Sequence, residues 1–136
     1  MSVTILLVED SRFMRIVNER VLVNAGYSVI SVGDGEQALV RAREHIPSLI
    51  LLDMMLPKLD GVSVLRALKC DPLTAQIPVV VLTSLGQTNE AKLLKEGAAA
   101  YFTKSDSLLE DNGSAFVQVA ATVLAKAEAD WRGVSR

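Results

Sequence analysis

Three acidic residues stand directly after short apolar runs. Glu9 and Asp10 follow Val3-Thr4-Ile5-Leu6-Leu7-Val8, and Asp53 follows Leu49-Ile50-Leu51-Leu52. Thr83 and Ser84 follow a third run, Val79-Val80-Val81-Leu82, and Lys104 follows Ala100-Tyr101-Phe102-Thr103. If the strands ending at Glu9 and Asp53 are neighbours, three carboxylates converge at one edge, where like charges repel. A divalent cation relieves that repulsion. Oxygen-only ligands, with no His or Cys, point to Mg²⁺ or Mn²⁺ rather than zinc. Mg²⁺ keeps several waters and takes one or two carboxylates beside a phosphate oxygen, so a phosphoryl group has room there. A carboxylate can attack phosphorus and form an acyl phosphate, a step that needs mainly positioning and neutralised charge. The metal would neutralise one phosphoryl oxygen and the Lys104 ammonium a second, while the Thr83 hydroxyl hydrogen-bonds a third. Singly, each residue has a plainer reading: Asp10 or Ser11 caps a helix, Thr83 ends a strand, and Lys104 is a solvated charge. Only their joint placement points to chemistry.

The elements that must place these residues can be read from the apolar pattern. Short continuous runs of branched residues suit strands buried on both faces, as in parallel sheets. Ser28–Val32 and Ala100–Thr103 are weaker strand candidates. Helical stripes fall between the strands. Phe13, Ile16, Val17, Val21 and Leu22 form the first, stopped by Asn24 and Gly26. Ala38, Leu39 and Ala42 precede Pro47, and Val62, Leu65 and Leu68 precede Pro72. Residues 89–96 lead to Gly97. A last helix runs from about Ser114 to Trp131 on a stripe of Phe116, Ala120, Val123, Leu124, Ala127 and Trp131. Five β-α repeats imply an α/β domain, a parallel sheet with helices on both faces. Ligands of such sheets bind at the carboxyl ends of the strands, where the three acids, Thr83 and Lys104 stand.

Bulk properties narrow the function classes. The 136 residues suit one domain, and half of them are hydrophobic. A formal net charge of −2 and a pI near 5.4 lack the basic footprint of direct nucleic-acid binding. One cysteine, Cys70, excludes an internal disulfide and a cysteine-built metal site. No apolar run reaches the roughly 18 residues of a membrane span, and the N-terminus lacks the basic flank of a signal peptide. A cytoplasmic protein is expected.

The residues Glu9-Asp10, Asp53, Thr83 and Lys104, each after its strand, resemble those of bacterial two-component response-regulator receiver domains, as in chemotaxis signalling. The stretch Asp53-Met54-Met55-Leu56-Pro57-Lys58-Leu59-Asp60-Gly61 is similar to that family's phosphoacceptor loop, and Asp34-Gly35-Glu36-Gln37-Ala38-Leu39 to its second-helix start. The likeness runs from Val3 to Leu124. It implies a flavodoxin-like, doubly wound five-stranded sheet of order 2-1-3-4-5 with five helices, a receiver over residues 1–132 and a tail at 133–136. Asp53 would be the phosphoacceptor and Asp10 a Mg²⁺ ligand, with Glu9 acting mainly through water and the Met55 backbone carbonyl completing the protein ligands. Thr83 and Tyr101 would form a switch pair. The fourth helix, fifth strand and fifth helix would present the changed surface to a downstream protein. The donor would be a phosphohistidine on a histidine kinase or phosphotransfer protein. Such a domain assists its own phosphorylation and dephosphorylation without being a turnover enzyme, and is expected as a monomer or weak dimer.

One position departs from the family pattern. Ser105 stands where a proline after a cis bond is usual, and a cis bond before a non-proline costs about 2.5–4 kcal/mol. The geometry of Lys104 and of the connection to Ser114 is therefore open. Alternatives include a receiver cut from a longer regulator with a DNA-binding or enzymatic output domain. A phosphohydrolase would need an acid two residues after Asp53, where Met55 stands. A flavodoxin relative would need hydroxyls and glycines where Glu9-Asp10-Ser11-Arg12 is acidic. A pseudo-receiver usually lacks an acid that this chain keeps. Plainer readings hold elsewhere: Asp60 caps the third helix, His45 is exposed near a helix end, and Cys70 is a small core or helix-end residue. Lys92 and Lys95 form a solvated face or part of a docking surface. Trp131 either closes the core or meets a partner.

Overall fold

The computed structural model describes residues 3–54, 56, 59–84, 90–104 and 113–134. Strand and helix alternate: β1 (Thr4–Val8), α1 (Arg12–Asn24), β2 (Ser28–Val32), α2 (Gly35–His45), β3 (Leu49–Asp53), α3 (Gly61–Cys70), β4 (Val79–Ser84), α4 (Glu90–Lys95), β5 (Ala100–Lys104) and α5 (Ser114–Val134). The strands form one parallel sheet in the order β2-β1-β3-β4-β5. This is the expected flavodoxin-like order.

Burial explains why three strands carry continuous apolar runs. β1, β3 and β4 lie inside the sheet, and alternate residues feed opposite layers. Leu6, Val8, Ile50, Leu52, Val79 and Val81 pack with Ala38 and Ala42 of α2, Val64, Leu65 and Leu68 of α3, and Leu93 of α4. Ile5, Leu7, Leu49, Leu51, Val80 and Leu82 pack with Leu22 of α1 and Phe116, Ala120 and Val123 of α5. Helices α2, α3 and α4 therefore cover one face, and α1 and α5 the other. Each fully buried Leu or Ile contributes about 1.5–3 kcal/mol. β2 and β5 are the sheet edges, with one neighbour each. Only Val32 of β2 is buried, hence the weaker apolar pattern of these two segments.

Two expectations need correction. Phe13 and Ile16 do not lie on the buried stripe of α1: they are 64% and 48% exposed. The inward face carries Asn18 and Leu22, with Met14 and Val21 partly buried. That face is turned by about one residue from the apolar stripe in the sequence, and the polar Asn18 at its centre hides it. The last helix also runs past Trp131 to Val134, into the segment expected to be tail. Other stops fall as expected. α2 ends at His45, with its C-cap Ile46 in the left-handed region at φ 43° just before Pro47, and α3 ends before Pro72.

Candidate functional site

The carboxyl ends of β1, β3 and β4 meet at one edge of the sheet. The Val8–Leu52 pairing sets Glu9 beside Asp53, and Asp53 pairs with Leu82, one residue before Thr83. Carboxylate oxygens of Glu9, Asp10 and Asp53 lie within 4.8 Å of one another. Glu9 and Asp53 are 1% and 2% exposed, whereas Asp10 is exposed. Burying two carboxylates beside a third is costly unless they are paired or hold a cation. The cluster offers only oxygen donors and opens to solvent on the Asp10 side, which fits a hard divalent cation that keeps part of its water.

Local structure fixes the acidic pair. The Glu9 amide donates to the Val32 carbonyl at 3.1 Å, extending the β1–β2 pairing by one residue. Ser11 is the N-cap of α1, its hydroxyl accepting from the Met14 amide at 3.3 Å. The cap therefore falls to Ser11, and Asp10 stays with the cluster. The Ser11 amide donates to Glu9 Oε2 at 3.3 Å. Arg15 reaches back from α1, its Nη1 donating to the Glu9 carbonyl at 2.9 Å and the Asp10 carbonyl at 3.5 Å. Sequence reasoning misses this residue. The available signal is that Arg12 and Arg15 stand near the positive end of a helix dipole, where acids are preferred.

On the other side of Asp53, the Met54 amide donates to the Leu82 carbonyl at 3.0 Å. Asp60 caps α3 as expected, Oδ1 accepting from the Ser63 amide at 2.9 Å. That bond holds its carboxyl below the ordinary carboxylate value. Gly35, in the motif at the start of α2, sits where a Cβ would lie 2.6 Å from Val64 Cγ2 and 2.8 Å from the Leu59 carbonyl oxygen. A glycine there lets α2 and the α3 approach pack together.

Thr83 is buried, and its Oγ1 has no hydrogen-bond partner among the described residues. Thr83 pairs with Thr103 and Val81 with Tyr101, so side-chain alternation sets Thr83 and Tyr101 on one sheet face. Tyr101 is half-buried and packs against the core beneath α2, α3 and α4. Lys104 pairs with Ser84 at the end of β5, which brings its main chain to the same edge. The side chains of Lys104 and Trp131 lie outside the described residues, as do Met55, Pro57 and Ser105. The expected Met55 carbonyl ligand and the Lys104-Ser105 peptide fall there too. His45 and Cys70 are exposed helix-end residues.

Residues 5–111 match the model of the response regulator receiver domain. The match spans the five strands and stops short of α5. Response regulator PleD of Caulobacter vibrioides is 41% identical over 105 residues, which is 76% of this chain and 23% of that protein. The chain spans less than half the length of the curated relatives it matches. Among solved structures, NtrX from Brucella abortus aligns with a TM-score of 0.87 at 25% identity, covering 99% of this chain and 29% of that one. The receiver domain of a sensor histidine kinase from Pseudomonas aeruginosa, solved with a magnesium ion in its active-site cleft, aligns with a TM-score of 0.70. It is 32% identical, and the alignment covers 82% of this chain and 93% of that one. Among the described residues, no helix is long and apolar enough to cross a membrane.

Proposed function

The chain belongs to the response regulator receiver domain family, and from that premise we propose that Asp53 is its phosphoacceptor. The donor is a phosphohistidine on a histidine kinase or phosphotransfer protein. An Asp53 carboxylate oxygen attacks phosphorus. The new P–O bond forms as the P–N bond breaks, and the electron pair returns to the donor imidazole. Asp10 and Asp53 would hold Mg²⁺, with Glu9 assisting through water and the Met55 carbonyl completing the protein ligands. A divalent cation held there would supply charge neutralisation for the phosphoryl oxygens.

The chain's other residues orient and respond. The Lys104 ammonium neutralises a second phosphoryl oxygen. The Thr83 hydroxyl turns to hydrogen-bond a third, and the Tyr101 ring turns inward after it. The face made by α4, β5 and α5 then meets a downstream protein. The domain is a phosphoacceptor rather than a turnover enzyme, acts in the cytoplasm and is a monomer or weak dimer.

The observation that carries this reading is the trio of carboxylates within 4.8 Å of one another, two of them buried. The Thr83 hydroxyl at the end of the neighbouring strand, without a hydrogen-bond partner among the described residues, supports it. So does the magnesium ion in the related histidine-kinase receiver. The test is incubation with acetyl phosphate, with and without Mg²⁺, read by intact mass beside Asp53→Asn. A Mg²⁺-dependent gain of one phosphoryl group, absent from the variant, is expected. No gain in the wild type, or an equal gain in Asp53→Asn, overturns the assignment.

A further inference from the structure

We infer that Arg15 is a positioning residue for the cation site, holding the Glu9-Asp10 main chain so that both carboxylates face Asp53; this rests on the metal-site reading above. Arg15 lies on α1 and is half-buried. Its Nη1 donates to the Glu9 carbonyl at 2.9 Å and to the Asp10 carbonyl at 3.5 Å. Both acceptors are main-chain atoms of the acidic pair, so the contact fixes where the carboxylates start rather than neutralising them. A hydrogen bond from a guanidinium is about twice as strong as a neutral one, and the group stays charged at any working pH.

The guanidinium lies against the main chain that follows β2. A Cβ at Gly33, just after β2, would lie 3.1 Å from Nη1 and 3.8 Å from Cζ. Gly33 is not among the glycines of positive φ, so backbone conformation does not call for glycine there. The near atoms are the free end of the Arg15 side chain, which a Cβ there would press on and displace by a few tenths of an ångström. The Glu9 amide is tied to the Val32 carbonyl at 3.1 Å. The Glu9 residue is thus held through its amide by β2 and through its carbonyl by Arg15.

Charge and geometry act in opposite directions at this position. A fixed positive charge beside a cation site weakens cation binding by Coulomb repulsion alone. Holding the ligands in place strengthens it. Outer partners that orient metal ligands typically change affinity by 10–100-fold. If positioning dominates, Arg15→Met weakens Mg²⁺ binding; if charge dominates, it tightens binding.

The experiment measures the Mg²⁺ dissociation constant by NMR titration of backbone amides, with urea stability taken on each variant. Arg15→Met should raise the dissociation constant about tenfold. Arg15→Lys, which keeps the charge and a donor, should fall between it and the wild type. Ser31→Ala is the control for general loosening of α1, because it removes the hydrogen bond from the Ser31 hydroxyl to Glu19 of the same helix. It should leave Mg²⁺ affinity unchanged. Unchanged or tighter binding in Arg15→Met overturns the inference, and so does an equal loss in Ser31→Ala. Asp10→Ala separates this from failure of the site itself. If Asp10→Ala binds Mg²⁺ like the wild type, the metal-site reading fails. If it loses Mg²⁺ while Arg15→Met keeps it, only the role of Arg15 fails.

Discussion

The main-chain amide of Gly61 donates to the carbonyl of Met54 at 3.2 Å, tying the first residue of α3 to the residue that follows Asp53. A Cβ at Gly61 would lie 2.6 Å from Met54 Cα and 2.8 Å from the Asp53 carbonyl oxygen. Both are backbone atoms, which cannot swing aside as a side chain can. The residue at this position therefore sets how closely α3 approaches the end of β3.

Gly61→Ala should pay for that contact by moving the main chain of Asp53 and Met54. Overpacking of this kind costs about 1–3 kcal/mol. The displaced Asp53 should also react more slowly with acetyl phosphate. Urea unfolding and the rate of mass gain check the two effects separately. Wild-type stability together with a wild-type rate would show that α3 shifts freely.

Thr83→Val should separate stability from response. The Thr83 hydroxyl is buried without a partner among the described residues, and leaving such a group unsatisfied costs about 1–3 kcal/mol. Val keeps the shape and removes the hydroxyl, so the unphosphorylated variant should be at least as stable as the wild type. Its amide spectrum should change less on phosphorylation, because the hydroxyl that would contact the phosphoryl group is gone. Lower stability in thermal unfolding would mean that the hydroxyl already has a partner in the resting protein.

Much of the site was legible because strand ends are legible. Glu9 and Asp53 directly follow, and Asp10 follows one residue later, short runs of branched apolar residues that suit buried strands, and the sheet order does the rest. Asp60 was legible as a cap, being a short acidic side chain before a helical stripe. Phe13 and Ile16 misled because apolar spacing alone cannot choose between two adjacent stripes when the inward one carries Asn18. Arg15 left almost no trace, since a long side chain doubling back onto carbonyls five and six residues earlier has no periodicity. That the Thr83 hydroxyl lacks a partner among the described residues was invisible for another reason: whether a buried group finds a partner depends on packing across strands.

Asp10→Asn should cross the wild type in stability as Mg²⁺ is added. Without the cation, Asn removes one of three close negative charges and their repulsion, so the variant should melt higher. With saturating Mg²⁺ the order should reverse. A ligand bound only by the native state at 100 times its dissociation constant adds about 2.7 kcal/mol, and the variant forgoes most of that. Thermal unfolding in EDTA and in excess Mg²⁺ gives the four midpoints. A variant that gains as much from Mg²⁺ as the wild type would move the metal away from Asp10.

Asp60→Ala should cost about 1 kcal/mol at neutral pH, as loss of an N-cap usually does, and the cost should shrink in acid. The Ser63 amide holds the Asp60 carboxyl below its ordinary value of 3.8. A group with a lowered folded-state pKa contributes stability that is present above the unfolded value and lost as pH falls through the folded one. The gap between wild type and Asp60→Ala should therefore be full above about pH 4 and narrow below it. Asp60→Asn keeps an acceptor oxygen without a charge, so it should retain most of the cap and none of its pH dependence. Urea unfolding of the three proteins between pH 3 and 7 checks this. A gap between wild type and Asp60→Ala that stays constant across that range would mean the cap works equally well with a neutral carboxyl.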